Sequence, residues 1–215
     1  MGRRFQELAF TPLVQQEQKR HGSREQYQRV YDAGKAGDAL GAQEQAFIAA
    51  RDSFYMASVS ETGWPYVQHR GGPPGFLKVL DPKLLGFADL RGNKQYISLG
   101  NLEHDARVAL FLMDYPHQTR LKILGRVEVF EPGDKNRPEG DARAAELLPQ
   151  LKMGEKDAVA ERVMLIHVEA FDWNCPQHIT PRYTLDELQE SLEPVRKRLE
   201  SLEAENAELR RRLNE

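Results

Sequence analysis

FADLRGNKQYISLGNLEHDARVALFLMD, residues 87–114, is the stretch on which the reading of the chain turns. An apolar strand-like run ends at Asp89, and a basic turn with Arg91, Gly92, Asn93 and Lys94 follows. A short helical segment comes next, and the chain then re-enters an apolar run. A strand that hands over to a helix leaves the first backbone N–H groups of that helix unpaired, and with the helix dipole they attract an anion. Arg91 and Lys94 add full positive charges, Asn93 can donate from its amide, and Gly92 lets the backbone come close. This chemistry suits a phosphate. Spacing alone leaves open the simpler reading, in which Arg91 and Lys94 only solvate a loop. A second basic, glycine-rich element, QHRGGPPG, follows a strand ending at Arg70, so Arg70 can meet the first cluster across neighbouring strands. No Walker motif or G-x-G-x-x-G fingerprint is present.

Working outward, the chain divides into three parts. Residues 1–52 are polar and helix-favouring, with Phe47 and Ile48 just before the first strand signal, and read as a helical lead-in. Residues 53–183 are dominated by strand-like segments: FYMASVS, PYVQHR, FLKVL, LLGFAD, VALFLMD, TRLKILGRVEVF and VMLIHVEAFDW. Their β-branched and aromatic content, with Gly and Pro between them, predicts an antiparallel sheet or barrel. In LKILGRVEV, Leu121, Ile123, Val127 and Val129 share one face while Lys122, Arg126 and Glu128 take the other, as in a half-buried strand. The insert from Glu131 to Glu161 carries a helix at ARAAELLPQL. Trp64 and Trp173 are expected in the core or an interface.

Composition limits the function classes. Thirty basic and 33 acidic residues give a net charge of −3, so an excess of positive charge for non-specific nucleic-acid binding is absent. No apolar run approaches the roughly 20 residues that span a bilayer, and the N-terminus MGRRFQELAF lacks the apolar core of a secretory signal. A cytoplasmic protein without membrane or nucleic-acid partners is expected. Cys175, the only cysteine, excludes an internal disulfide and a multi-cysteine metal site. The six histidines show no H-x-H or H-E-x-x-H spacing, and no metal site is expected.

The order of a first hairpin, a basic strand end at Gln68-His69-Arg70, an apolar strand into FADLRGNK, a helix, then DARVALFLMD and LKILGRVEV resembles the pyridoxamine 5′-phosphate oxidase-like family of flavin-binding split barrels. The match runs from about Ala46 to Val129, with weaker support to Tyr183. The resemblance implies a mainly β fold with flanking helices, a six-stranded antiparallel split barrel, FMN as cofactor, and a homodimer with the flavin sites at its interface. Carried over by position, Gln68, His69 and Arg70 line the flavin, and Phe87 and Ala88 place backbone beside it. Arg91, Asn93 and Lys94 hold the phosphate, and Arg120 reaches in from the other protomer. Where the namesake oxidase has an R-L-H-x-R pattern, this chain runs DWNCPQHITPRY, so the namesake activity is not implied. That segment resembles a subgroup in which the cysteine-proline turn lies near the flavin ring, which adds Cys175 and His178 to the candidates. Read from the residues alone, Cys175 is either a redox thiol or a small buried hydrophobe. His178 and Arg182 either meet an anionic substrate or the flavin, or cap a loop. Asp89, near a phosphate, is expected to repel it unless it pairs with Arg91 or Lys94.

Three functional readings follow. The first is an FMN-dependent oxidoreductase moving hydride or electrons from a reduced nicotinamide to a small-molecule acceptor, which needs few catalytic side chains. The second is a non-catalytic flavin or haem binder on the same barrel, and the third an assembly protein whose tail matters most. That tail, residues 184–215, opens with a capping box of Thr184 and Glu187. Leu185, Leu188, Leu192, Val195, Leu199, Leu202, Asn206, Leu209 and Leu213 recur at alternating spacings of three and four, the a/d pattern of a coiled coil. Pro194 is expected to kink or restart the helix. A coiled coil here would reinforce the dimer or join two dimers into a tetramer; an amphipathic helix packed on the barrel is the alternative.

Overall fold

The computed structural model describes residues 2–34, 38–133, 138–151, 159–173 and 176–214. Four short helices open the chain, α1 (Arg3–Ala9), α2 (Pro12–Arg20), α3 (Arg24–Ala33) and α4 (Ala42–Ala49). Thr11 caps α2, its hydroxyl accepting the Val14 N–H at 3.4 Å, and Pro12 occupies the first helical position where a missing N–H costs nothing. At the start of α4, Glu44 Oε2 accepts from the Gly41 N–H at 2.9 Å. Its other oxygen accepts from Trp173 Nε1 at 2.7 Å, which ties the lead-in to the end of the last strand. Trp173 packs on Phe47 with ring centroids 4.9 Å apart. Trp64 lies outside the core, 76% exposed beyond the end of the first strand.

The sheet consists of β1 (Ser53–Val59), β2 (Pro65–Gly71), β3 (Lys78–Asp81), β4 (Leu84–Leu90), β5 (Arg107–Asp114), β6 (Thr119–Phe130) and β7 (Ala160–Trp173). Its order is β2-β1-β5-β6-β7-β4-β3, and every pairing is antiparallel. The described residues thus hold seven strands where the resemblance implied six. The shortest of the seven is the four-residue β3, which folds back on β4 at the sheet edge.

Alternation sends Phe54, Met56, Leu85, Phe87, Leu110, Leu121 and Ile123 into one core. Phe54 of β1 meets Phe87 of β4 at 5.4 Å between ring centroids, although three strands separate β1 from β4 in the sheet. The sheet therefore curls around its core, as a barrel does. On β6, Leu121, Ile123 and Val127 are buried as the period-2 pattern predicts. A bulge between Leu124 and Gly125 shifts its register against β7. A second cluster forms where Ala144, Leu147 and Leu151 of α6 (Pro138–Leu151) cover Val163 and Leu165 of β7.

The last helix, α7 (Leu185–Leu213), begins at the expected capping box, with Thr184 Oγ1 accepting the Glu187 N–H at 3.2 Å and Glu187 Oε2 accepting the Thr184 N–H at 2.7 Å. It passes through Pro194 without restarting. Among the described residues, no helix is long and apolar enough to cross a membrane.

Candidate functional site

The ends of β2 and β4 converge with the turn that follows β4 and with the start of α5 (Ile97–His104) to form a cleft of about 270 Å³. Eight of the candidate residues line it: Gln68, His69, Arg70, Phe87, Ala88, Arg91, Asn93 and Lys94. Two do not. Arg120, opposite Met113 in the sheet, holds its guanidinium 5.2 Å from the centroid of Phe111. His178 is exposed in the turn after β7, next to Ile179, whose carbonyl accepts from Gln118 Nε2 at 2.6 Å. Cys175 lies outside the described residues.

The turn at the mouth of the cleft is tightly wound. Asn93 Oδ1 accepts the Gln95 N–H at 3.1 Å, as short polar side chains do in turns. Lys94 and Tyr96 adopt left-handed backbone with φ of 59° and 53°. For residues with a side chain this costs about 1–2 kcal/mol each, a strain that collects at functional corners. Tyr96 is the N-cap of α5 and gives no side-chain cap, so the first N–H groups of the helix are left for another acceptor. At Gly92 a Cβ would meet no atom of the described residues within 4 Å, so none of them demands glycine there.

Charges in the cleft are arranged differently from the sequence expectation. Asp89 pairs with neither Arg91 nor Lys94. Buried beside Phe87, it accepts from Arg70 Nη1, which reaches across from β2, and from Arg162 Nη1 at 2.7 Å, its direct neighbour on β7. Alternation explains this, because Asp89 shares the inward face of β4 with Phe87, and Arg70 lies over the Phe87 ring at 6.0 Å. Arg162 also donates to Glu131 at 2.9 Å and to Glu161 at 3.0 Å. Burial alone would lower its pKa, but the bonds to Asp89 and Glu131 raise it above the ordinary value. Arg91 donates through Nε to Glu161 at 2.8 Å and so holds that carboxyl below its usual range. Gln68 Oε1 accepts from Ser98 Oγ at 3.0 Å and from the Tyr66 hydroxyl at 3.3 Å, which orients the amide. Arg162, Glu161, Tyr96 and Ser98 escaped the sequence reading. The one local signal was the Glu161-Arg162 pair at the head of an otherwise apolar strand.

Comparison with known proteins bears on residues that include this corner. A family model described as pyridoxamine 5′-phosphate oxidase matches residues 40–174. No curated protein matches the chain. Among solved structures, a pyridoxamine 5′-phosphate oxidase candidate from Lactobacillus delbrueckii is 25% identical, over 63% of this chain and 94% of its own, with a TM-score of 0.46. HupZ of Group A Streptococcus is 18% identical over 67% of this chain and all of its own (100%), with a TM-score of 0.45. A pyridoxamine 5′-phosphate oxidase-related, FMN-binding protein from Nostoc punctiforme is 11% identical over 57% and 73%, with a TM-score of 0.39. The match to residues 40–174 takes in β1 to β7 and the whole cleft, and by it the chain belongs to the pyridoxamine 5′-phosphate oxidase family.

Proposed function

We propose that the cleft binds FMN and that the protein is an FMN-dependent oxidoreductase, passing hydride or electrons from a reduced nicotinamide to a small acceptor. The observation that carries this reading is the gathering of Arg70, Arg91, Lys94 and Arg162 around an uncapped helix start, in a chain of this family. The residues fit a phosphate. Arg70 Nε is buried without a hydrogen-bond partner among the described residues, and an anion would satisfy it. Four basic side chains face Asp89, Glu161 and Glu131, a surplus of one positive charge that favours a dianion. Arg91 gives its Nε to Glu161, and its two terminal nitrogens make no hydrogen bond among the described residues. They are suited to a two-point grip on phosphate oxygens.

Arg70, Arg91, Asn93 and Lys94 hold the phosphate in this proposal, with the first N–H groups of α5 behind them. Gln68 and His69 line the ring, and the backbone of Phe87 and Ala88 lies beside it. FMN, when bound, supplies the hydride and one-electron chemistry. The chain binds and orients, and Phe76, Phe87 and Met164 exclude water from the wall of the cleft.

The proposal extends to a homodimer. Tyr55, Val67 and Phe111 are 40%, 59% and 36% exposed on the outward face of β1, β2 and β5, an apolar surface suited to a second copy. Arg120 belongs to that face, beside Phe111, and reaches the partner's flavin.

An absorbance spectrum tests the reading. Purified protein is expected to show flavin bands that bleach with NADH or NADPH. Changing Arg91 and Lys94 together to Ala removes charge-assisted bonds worth on the order of 1.5–3 kcal/mol each, and that variant is expected to purify colourless yet folded. A Soret band would point to a haem binder instead. Unchanged flavin content in the double variant would refute the phosphate placement.

A further inference from the structure

The tail helix exposes an apolar row that none of the described residues of its own chain buries. No residue of α7 is buried, and Leu199, Leu202 and Leu209 are 56%, 38% and 50% exposed. The helix runs unbroken for 29 residues, a rod of about 43 Å. Pro194 falls at heptad position c, away from the a/d row, and leaves that row continuous.

The charges say what the row meets. Several charged side chains of α7 satisfy one another along the helix: Arg196 with Glu193 and Glu200, Lys197 with Glu193, and both Arg211 and Arg212 with Glu208. Arg198, Glu203, Glu205 and Arg210 form no ion pair among the described residues, and they occupy the g and e positions that flank the row. In a parallel, in-register pair of these helices, Arg198 faces Glu203 of the partner subunit and Glu205 faces Arg210 of the partner subunit. Both contacts join opposite charges. An antiparallel pair can also match Arg198 with the partner subunit's Glu205, but Asn206 then lies against the partner subunit's Val195 and its amide is unsatisfied. Only the parallel arrangement sets Asn206 against its own symmetry mate, where the two amides bond each other.

We infer that α7 is one half of a parallel, two-stranded, in-register coiled coil whose other half is the same helix of a second copy of this chain. This rests on the helix alone and is independent of what the cleft binds.

Cysteine crosslinking in the full-length chain, with Cys175→Ser as background, tests it. Symmetry mates at position 209 come within disulfide reach only in the parallel register; in the antiparallel one they lie some 17 residues apart, about 25 Å. Leu209→Cys is expected to give a covalent product of twice the chain mass on mild oxidation. Arg211→Cys, on the outward side, is expected to give at least tenfold less. Equal yields from the two, no product from Leu209→Cys, or efficient crosslinking of a Leu192→Cys chain to a Leu209→Cys chain would each overturn the inference. A charge test keeps it exposed if the cysteine perturbs packing. Arg198→Glu with Glu205→Arg opposes like charges at both contacts and is expected to cut the Leu209→Cys yield at least fivefold. Adding Glu203→Arg and Arg210→Glu is expected to restore it. A yield indifferent to both sets is incompatible with the proposed register.

Discussion

A carboxylate buried between two guanidinium groups, as Asp89 is between Arg70 and Arg162, is asymmetric in its energetics. Forming such a pair gains little over an apolar core, whereas removing one member leaves a buried charge uncompensated. Arg162 keeps Glu131 and Glu161 as partners, but the hydrogen bond that Arg70 gives to a carboxylate goes to Asp89. Asp89→Asn preserves shape and one acceptor while deleting the charge. It is expected to cost roughly 3 kcal/mol, a fall in Tm of about 6–12 °C for a domain of this size. Thermal unfolding with and without added inorganic phosphate checks this, and phosphate is expected to raise the Tm of the variant more than that of the parent, because an anion then replaces the lost charge. A variant that melts with the parent would show that Asp89 contributes no such compensation.

At the scale of elements, Gly125 of β6, opposite the bulge that Glu169 makes in β7, carries a specific demand. A Cβ on Gly125 would sit 2.6 Å from the carbonyl oxygen of His167 and 2.9 Å from Cγ2 of Ile166, and the first contact is with backbone that cannot turn aside. Gly125→Ala is expected to lose about 1–3 kcal/mol, read as a lower urea midpoint with an unchanged slope. The strands themselves were legible beforehand: the two-residue alternation of LKILGRVEV and the capping box at Thr184 are local patterns, and local patterns survive in sequence. Eight cleft residues were legible too, through a family resemblance joined to a strand-to-helix corner. The partners of Asp89 were not. They come from β2 and β7, and the register between strands distant in the chain is absent from any short window. The same holds for the bulge at Glu169, which leaves the alternation of β6 unbroken and so shows no sign in it.

The whole molecule adds a test of shared sites. If Arg120 completes the cleft of the partner subunit, Arg120→Ala lowers flavin affinity about tenfold or more, the loss of one charge-assisted bond. Mixing Arg120→Ala chains with chains carrying both Arg91→Ala and Lys94→Ala gives heterodimers in which one site holds all the changes and the other holds none. Flavin binding is expected to return in such mixtures, titrated by fluorescence, and the absence of any recovery would confine the site to one chain. The ion network around Asp89 has a consequence for how such a protein is supplied. Because Arg70 and Arg162 find counter-charge within the chain, folding is expected not to wait on the proposed cofactor. A protein that binds FMN as proposed is then expected to survive stripping and reloading without unfolding, so that its loaded fraction follows the free flavin pool.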